Sequence, residues 1–184
     1  GKTWKLITNG IPSNHFTRVI RADKEVEGLL YCGTEFGLYI SADNGKNWQP
    51  FQLNLPQVPI TDLALKDNDL IVATQGRSFW IFDDLNIIWD ELKHPTTNEL
   101  KIFSVQPTVG YGGGGKTSDL YGTNHPSGVK VYFNVPETEH PSTLKFIDSK
   151  GKLIRSFHTD AADKSDQLDI ETGINSFNWN TRYE

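Results

Sequence analysis

Residues 41–48 read Ser41-Ala42-Asp43-Asn44-Gly45-Lys46-Asn47-Trp48, a serine, an aspartate, a glycine and a tryptophan at close, fixed spacing. An aspartate can accept backbone N–H groups of its own turn, a glycine supplies a positive φ, and a tryptophan anchors the exit by packing. The stretch therefore predicts a turn rather than a helix. Partial copies lie on either side of it. Sliding the chain by 41 positions places Leu38–Trp48, LYISADNGKNW, on Phe79–Trp89, FWIFDDLNIIW, so that Asp43 meets Asp84 and Trp48 meets Trp89. Sliding it by 44 places Gly1-Lys2-Thr3-Trp4 on Gly45-Lys46-Asn47-Trp48. A longer loop at 23–28 accounts for the change of offset.

Each copy reads as short strands separated by turn signals. Ile60–Leu65 alternates weakly and ends at Lys66-Asp67-Asn68-Asp69; Leu70–Thr74 follows, then a glycine-containing turn, then Phe79–Phe82. No helix longer than two turns is expected. Three or four strands in a period near 40 residues is the pattern of a β-propeller blade. The fold class expected is all-β: about two to two-and-a-half blades over 1–103, a Gly/Pro-rich linker over 104–127, and a small, incomplete β-sandwich over 128–184.

On these residues the chain resembles the Asp-box, or bacterial neuraminidase repeat, propellers, a group that includes sialidases, xyloglucan-cleaving enzymes and sortilin-type receptors. Ser41, Asp43, Gly45 and Trp48 form the complete box; the third copy keeps Asp84 and Trp89 but lacks the serine and the glycine. The resemblance covers about residues 1–90 and implies that the box is structural. Asp43 beside Asn44 is not read as a calcium loop, because the remaining oxygen ligands of such a loop are missing. In enzymes of this group the binding funnel lies on the face opposite the box, formed by the turns between second and third strands. Those turns are here Thr34-Glu35-Phe36-Gly37 and Gln75-Gly76-Arg77-Ser78. Glu35 and Phe36 are candidates for sugar contact and Gln75 and Arg77 for contact with polar or anionic groups. The reading preferred for both turns is nonetheless an ordinary solvated hairpin tip. Sialidase activity is disfavoured, because five arginines are spread along the chain with no motif gathering three.

The segment VGYGGGGKTSDLYG, 109–122, satisfies the P-loop pattern from Gly110 to Thr117. A phosphate-binding loop needs a helix directly after its Lys-Thr pair, since the helix N-terminus is half of the site. Gly122 and Pro126 leave too little chain for one, so no nucleotide is expected. From Gly128 onward Val129, Val131, Phe133 and Val135 alternate with Lys130, Tyr132 and Asn134, as in a half-buried strand. Asp148-Ser149-Lys150-Gly151 marks a hairpin, and Phe177 and Trp179 lie on one face of a further strand. These stretches resemble the immunoglobulin- or fibronectin-type module appended to many bacterial Asp-box propellers. Such sandwiches usually need about 100 residues, so both ends read as cuts through a larger protein.

Composition narrows the function classes. The chain of 184 residues carries five Trp, six Tyr and ten Phe, which suits a β-rich protein. A formal charge of −5 provides no basic field for nucleic acid. No apolar run is long enough for a membrane helix. Cys32 is the single cysteine, so neither an internal disulfide nor a cysteine metal site is expected. His15, His94, His125, His140 and His158 are scattered without metal-ligand spacing. Asp83 and Asp84 are adjacent, and on a strand they would point to opposite faces rather than act as a hydrolytic pair. The expectation is a non-catalytic scaffold, or a carbohydrate- or protein-binding part of a larger Asp-box propeller protein, with no cofactor. Its partners would be missing blades or a second copy meeting its sheet edges. The alternative is a piece of a glycoside hydrolase whose catalytic residues lie elsewhere. The resemblance implies a secreted or periplasmic location, although no signal is present in the chain.

Overall fold

The computed structural model describes residues 1–108 and 127–181. The glycine run with its P-loop pattern, His125 and most of the expected linker lie outside the described residues. The chain divides into two compact units, Gly1–Lys93 and His94–Glu184. Strands dominate both, and every sheet is antiparallel.

The first unit contains two meanders. In one, β1 (Thr17–Ala22), β2 (Leu30–Thr34), β3 (Gly37–Ser41) and β4 (Gln49–Pro50) lie side by side in chain order. In the other, β5 (Ile60–Lys66), β6 (Asp69–Thr74) and β7 (Phe79–Phe82) do the same. β3 is buried at every position and β2 nearly so, the mark of strands covered on both faces. Register explains how. Cys32 pairs with Tyr39 on one face, where Ile11 and Trp48 cover them. Tyr31 and Ile40, together with Leu38, look the other way into a core shared with Ile60, Leu63, Leu70 and Val72 of the second meander. Gly33 permits the close approach: a Cβ there would lie 2.6 Å from Ile60 Cγ2 and 2.8 Å from Val19 Cγ1. On β7 the alternation is clear, with Trp80 and Phe82 packed on the core while Phe79 and Ile81 are 73% and 58% exposed.

After β7 the chain departs from the expected turn. Asn86–Lys93 is an α-helix, α1; Leu85 just before it and Ile88 and Trp89 within it meet the core. Its start is held by the turn between β5 and β6. The Asn86 N–H donates to Asn68 Oδ1 at 2.8 Å, Asn68 Nδ2 donates to Asn86 Oδ1 at 2.8 Å, and the Leu85 N–H donates to the Asn68 carbonyl at 2.8 Å. Side chain and backbone of one asparagine thus satisfy N–H groups that a helix start leaves without intrahelical partners. Asp23 ties α1 to the first meander, accepting from Trp89 Nε1 at 3.0 Å and from the Tyr31 hydroxyl at 2.9 Å. Burial, and then the neighbouring Asp23 charge, pushes the Tyr31 hydroxyl well above the usual phenol range.

The second unit has two small sheets. β8 (Lys101–Ile102), β9 (Val129–Val135) and β12 (Gly173–Trp179) form one, in the order β12-β9-β8; β10 (Thr143–Ile147) and β11 (Leu153–His158) form the other. Residues 101–102, inside the span 1–103 expected to hold blades, pair here instead: Lys101 pairs with Asn134 and Ile102 with Phe133. The predicted alternation of β9 holds, with Val131, Phe133 and Val135 buried. Phe146 lies 4.5 Å from Trp179 and Phe157 lies 4.5 Å from Phe177 between ring centres, so aromatic pairs from both sheets form the core. Each such pair is worth about 0.5–1.5 kcal/mol beyond its area burial. Asp148 closes the β10–β11 turn by accepting the Lys150 and Lys152 N–H groups, both at 2.8 Å, with Gly151 at φ 81°.

Candidate functional site

The box turn is built as its residue types demand. The Ser41 hydroxyl donates to Asp43 Oδ1 at 2.8 Å and accepts the Gly45 N–H at 3.0 Å. Asp43 accepts the Asn47 N–H at 2.8 Å and the Asn47 side-chain amide at 2.7 Å. Asn44 and Gly45 take positive φ, 59° and 77°. These donors, Asn47's backbone first, hold the Asp43 carboxyl down to about 2. Trp48 exits into the core and donates Nε1–H to the Ile7 carbonyl at 2.7 Å, while its N–H donates to the Asn9 carbonyl at 2.8 Å. Asn9 Nδ2 reaches Asn47 Oδ1 at 2.6 Å. The box clamps the segment around 7–11 over the covered face of the first meander.

Its two partial copies do not form the same turn. Trp4 is 95% exposed. In the third copy Asp84 has φ 65° and Trp89 sits inside α1. The reason lies in the replaced letters: Phe82 stands where Ser41 would and offers no hydroxyl, and Asn86 stands where Gly45 would and opens a helix.

At the β2–β3 turn, the Thr34 hydroxyl, fully buried, donates to the Gly37 carbonyl at 2.9 Å and accepts the Phe36 N–H at 3.1 Å. Gly37, at φ 122°, lies against Gln52, whose Oε1 would be 2.1 Å from a Cβ. This rigid tip carries Glu35 and Phe36. Glu35 Oε2 accepts from Arg18 Nε at 2.5 Å, and that bond raises the arginine further above its ordinary value. Phe36 stacks on His15 with centres 4.7 Å apart, and His15 Nδ1 is 2.8 Å from the Tyr39 hydroxyl. Phe36 keeps 41% of its surface exposed and neighbouring Phe16 keeps 71%. A polar ion pair and an aromatic group thus share one tip.

The β6–β7 turn is held by Thr74, whose hydroxyl donates to the Ser78 carbonyl at 2.7 Å and accepts the Arg77 N–H at 3.2 Å. The Arg77 carbonyl accepts from Trp80 Nε1 at 2.9 Å, and the Gln75 N–H donates to the Pro59 carbonyl at 2.9 Å. Gln75 and Arg77 are exposed. The partner of Glu35 is therefore Arg18, and Phe36 stacks on His15, which in turn meets Tyr39. Sequence reading missed Arg18 and His15 at this tip because the β1–β2 register brings them there: Thr17 pairs with Thr34, and the Glu35 N–H donates to the Phe16 carbonyl at 2.9 Å.

Asp69, Asp83 and Asp84 line none of the described clefts. Asp69 is raised by burial first and then by the charges of Asp83 and Asp84, but it begins β6 beside the helix-holding turn. Neither Glu35 nor Arg77 is among the residues lining the described clefts. One of about 600 Å³ in the second unit is lined by His140, Asp169, Glu171 and Asn175 among others. Another of about 480 Å³ is lined by Arg155, Phe177 and Trp179 among others. Among the described residues, no group of three or more His, Cys, Asp or Glu side chains is placed to hold a metal ion. No helix among them is long and apolar enough to cross a membrane. Cys32 is fully buried, and burial lifts its thiol to about 11, which suppresses the reactive thiolate. The chain matches no protein family, no curated protein and no solved structure.

Proposed function

We propose that the chain is a non-catalytic scaffold and binding module of the Asp-box propeller type. In this reading its meanders are blades and its second unit is a small immunoglobulin-like sandwich. The observation that carries the binding role is the tip at Arg18, Glu35 and Phe36: an exposed ring beside a fixed ion pair. Rings support the apolar face of a sugar or a protein side chain, and flanking charged groups orient hydroxyls or amides. Glu35 is committed to an ion pair with Arg18, whereas glycoside hydrolysis uses a pair of carboxylates. That favours binding over bond cleavage.

The strand order supports a scaffold role as well. β7 ends the second meander with Phe79 and Ile81 exposed, a surface suited to a further blade or a second copy. A secreted or periplasmic location fits this reading. A glycan array tests it, with Phe36→Ala and Glu35→Gln as variants. Loss of a glycan signal in Phe36→Ala with unchanged melting supports the reading. Hydrolysis of any arrayed glycoside by the unmodified chain, abolished in Glu35→Gln, overturns it in favour of a glycoside hydrolase.

A further inference from the structure

The chain contains two Asn-Gly pairs, Asn9-Gly10 and Asn44-Gly45, and the box treats them oppositely. In an Asn-Gly pair the glycine nitrogen can attack the asparagine Cγ. The nitrogen loses its proton, the new C–N bond closes a five-membered succinimide, and the Cγ–Nδ2 bond breaks to release ammonia. Water then opens either ring carbonyl, leaving aspartate or isoaspartate. The step needs only water and base. It also requires that the glycine N–H be accessible and that its nitrogen be able to swing toward the side chain.

At Asn44-Gly45 both requirements are blocked. Gly45 is buried and its N–H is held by Ser41 Oγ at 3.0 Å. The Asn44 N–H is fixed to the Gly28 carbonyl at 2.9 Å. At Asn9-Gly10 both residues are exposed and no acceptor is found for the Gly10 N–H among the described residues, so that nitrogen has no hydrogen bond of its own to break, although the Asn9 carbonyl and Nδ2 are bonded to Trp48 and Asn47. That turn is closed by the Ile11 N–H to the Thr8 carbonyl at 2.9 Å. We propose that Asn9 is a deamidation site of the folded protein and that Asn44 is a latent one, sealed by the Ser41 hydroxyl.

The consequence follows from what Asn9 touches. Its Nδ2 donates to Asn47 Oδ1 at 2.6 Å, and its carbonyl receives the Trp48 N–H. Deamidation replaces that donor with a carboxylate oxygen facing another oxygen. The isoaspartyl product also adds a methylene to the backbone beside Gly10, where a Cβ would already lie 2.0 Å from the Trp48 carbonyl oxygen. Conversion of Asn9 therefore loosens the clamp over the box without touching its four signature residues.

The test is peptide mapping of the full chain held in mildly alkaline buffer, folded and in urea, with isoaspartate read by enzymatic methylation. In urea the two sites convert at similar rates. In the folded chain Asn9 converts at least roughly tenfold faster than Asn44, a difference of about 1.4 kcal/mol in barrier. Ser41→Ala narrows that gap, whereas Ser41→Thr, which keeps the hydroxyl, preserves it. Equal rates at the two sites in the folded chain overturn the proposal. So does retention of Asn9 over an interval that consumes it in urea, and neither result depends on a variant folding.

Discussion

Asp43 and Asp84 stand 41 positions apart with a tryptophan five residues after each, yet one begins a clamped turn and the other precedes a helix. The shared letters are therefore not the ones that decide. What differs is Ser41 against Phe82 and Gly45 against Asn86. The Ser41 hydroxyl closes the first turn from inside, and Gly45 takes a positive φ where a Cβ would press within 2.8 Å of Ile7 Cδ1. Without that pair the second stretch is free to follow its apolar spacing into α1, and Asn68 supplies from elsewhere the N-terminal bonds that the turn lacks. The two tryptophans diverge accordingly: Trp48 reaches the Ile7 carbonyl, Trp89 the Asp23 carboxylate.

The contrast is broken most strongly at Trp48. The residue is 5% exposed and couples the box to the covered face of the meander. Trp48→Ala is expected to cost about 3–5 kcal/mol, read as the loss of the first unit's melting transition in denaturant. Asn68→Ala attacks the other stretch. It removes both side-chain bonds to Asn86 and is expected to cost about 1–3 kcal/mol, with α1 amides losing hydrogen-exchange protection before those of β2 and β3. Trp89→Phe keeps the ring packing and removes only the donor to Asp23, for about 1–2 kcal/mol. If Asn68→Ala and Trp48→Ala cost the same and unprotect the same amides, the two stretches form one cooperative element and the contrast fails.

These differences mark how far the sequence could be read. The complete box is local: donors, acceptor, positive-φ residue and anchor lie within eight letters, and so its geometry was legible. The helix was also written locally, since Leu85, Ile88, Trp89 and Leu92 follow the i, i+3, i+4, i+7 spacing. It was obscured because Trp89 also fitted the repeat. Asn68 could not be assigned as the helix's partner, because side-chain identity says nothing about which distant N–H it meets. The same holds at the candidate site. Glu35 and Phe36 were legible as turn residues, but Arg18 and His15 arrive there through the β1–β2 register, which contains a shift between Thr17 and Val19. Residues 101–102 fell within the expected span 1–103 for a related reason: two paired residues carry too little pattern to choose a sheet, and Asn134 and Phe133 choose for them.

The smallest effect separates the box by its charge. The Asp43 carboxyl lies at about 2, below the ordinary 3.8, because the folded turn donates to its ionised form, chiefly from Asn47. A carboxyl depressed by folding stabilises the fold above its unfolded value, and that contribution is lost as pH falls through the folded one. The first unit is therefore expected to keep the full contribution above about pH 4 and to lose it progressively toward pH 2. NMR titration of the Asp43 carboxyl checks the position. Ser41→Ala removes one donor and is expected to move that midpoint upward, though less than loss of the Asn47 bonds would. Asp43→Asn removes the titration and, with it, this part of the acid sensitivity. A midpoint for Asp43 near 3.8 in the folded chain would show that the turn does not hold its carboxylate, and the Ser41–Asp43–Asn47 network would then no longer explain why this copy alone is a box.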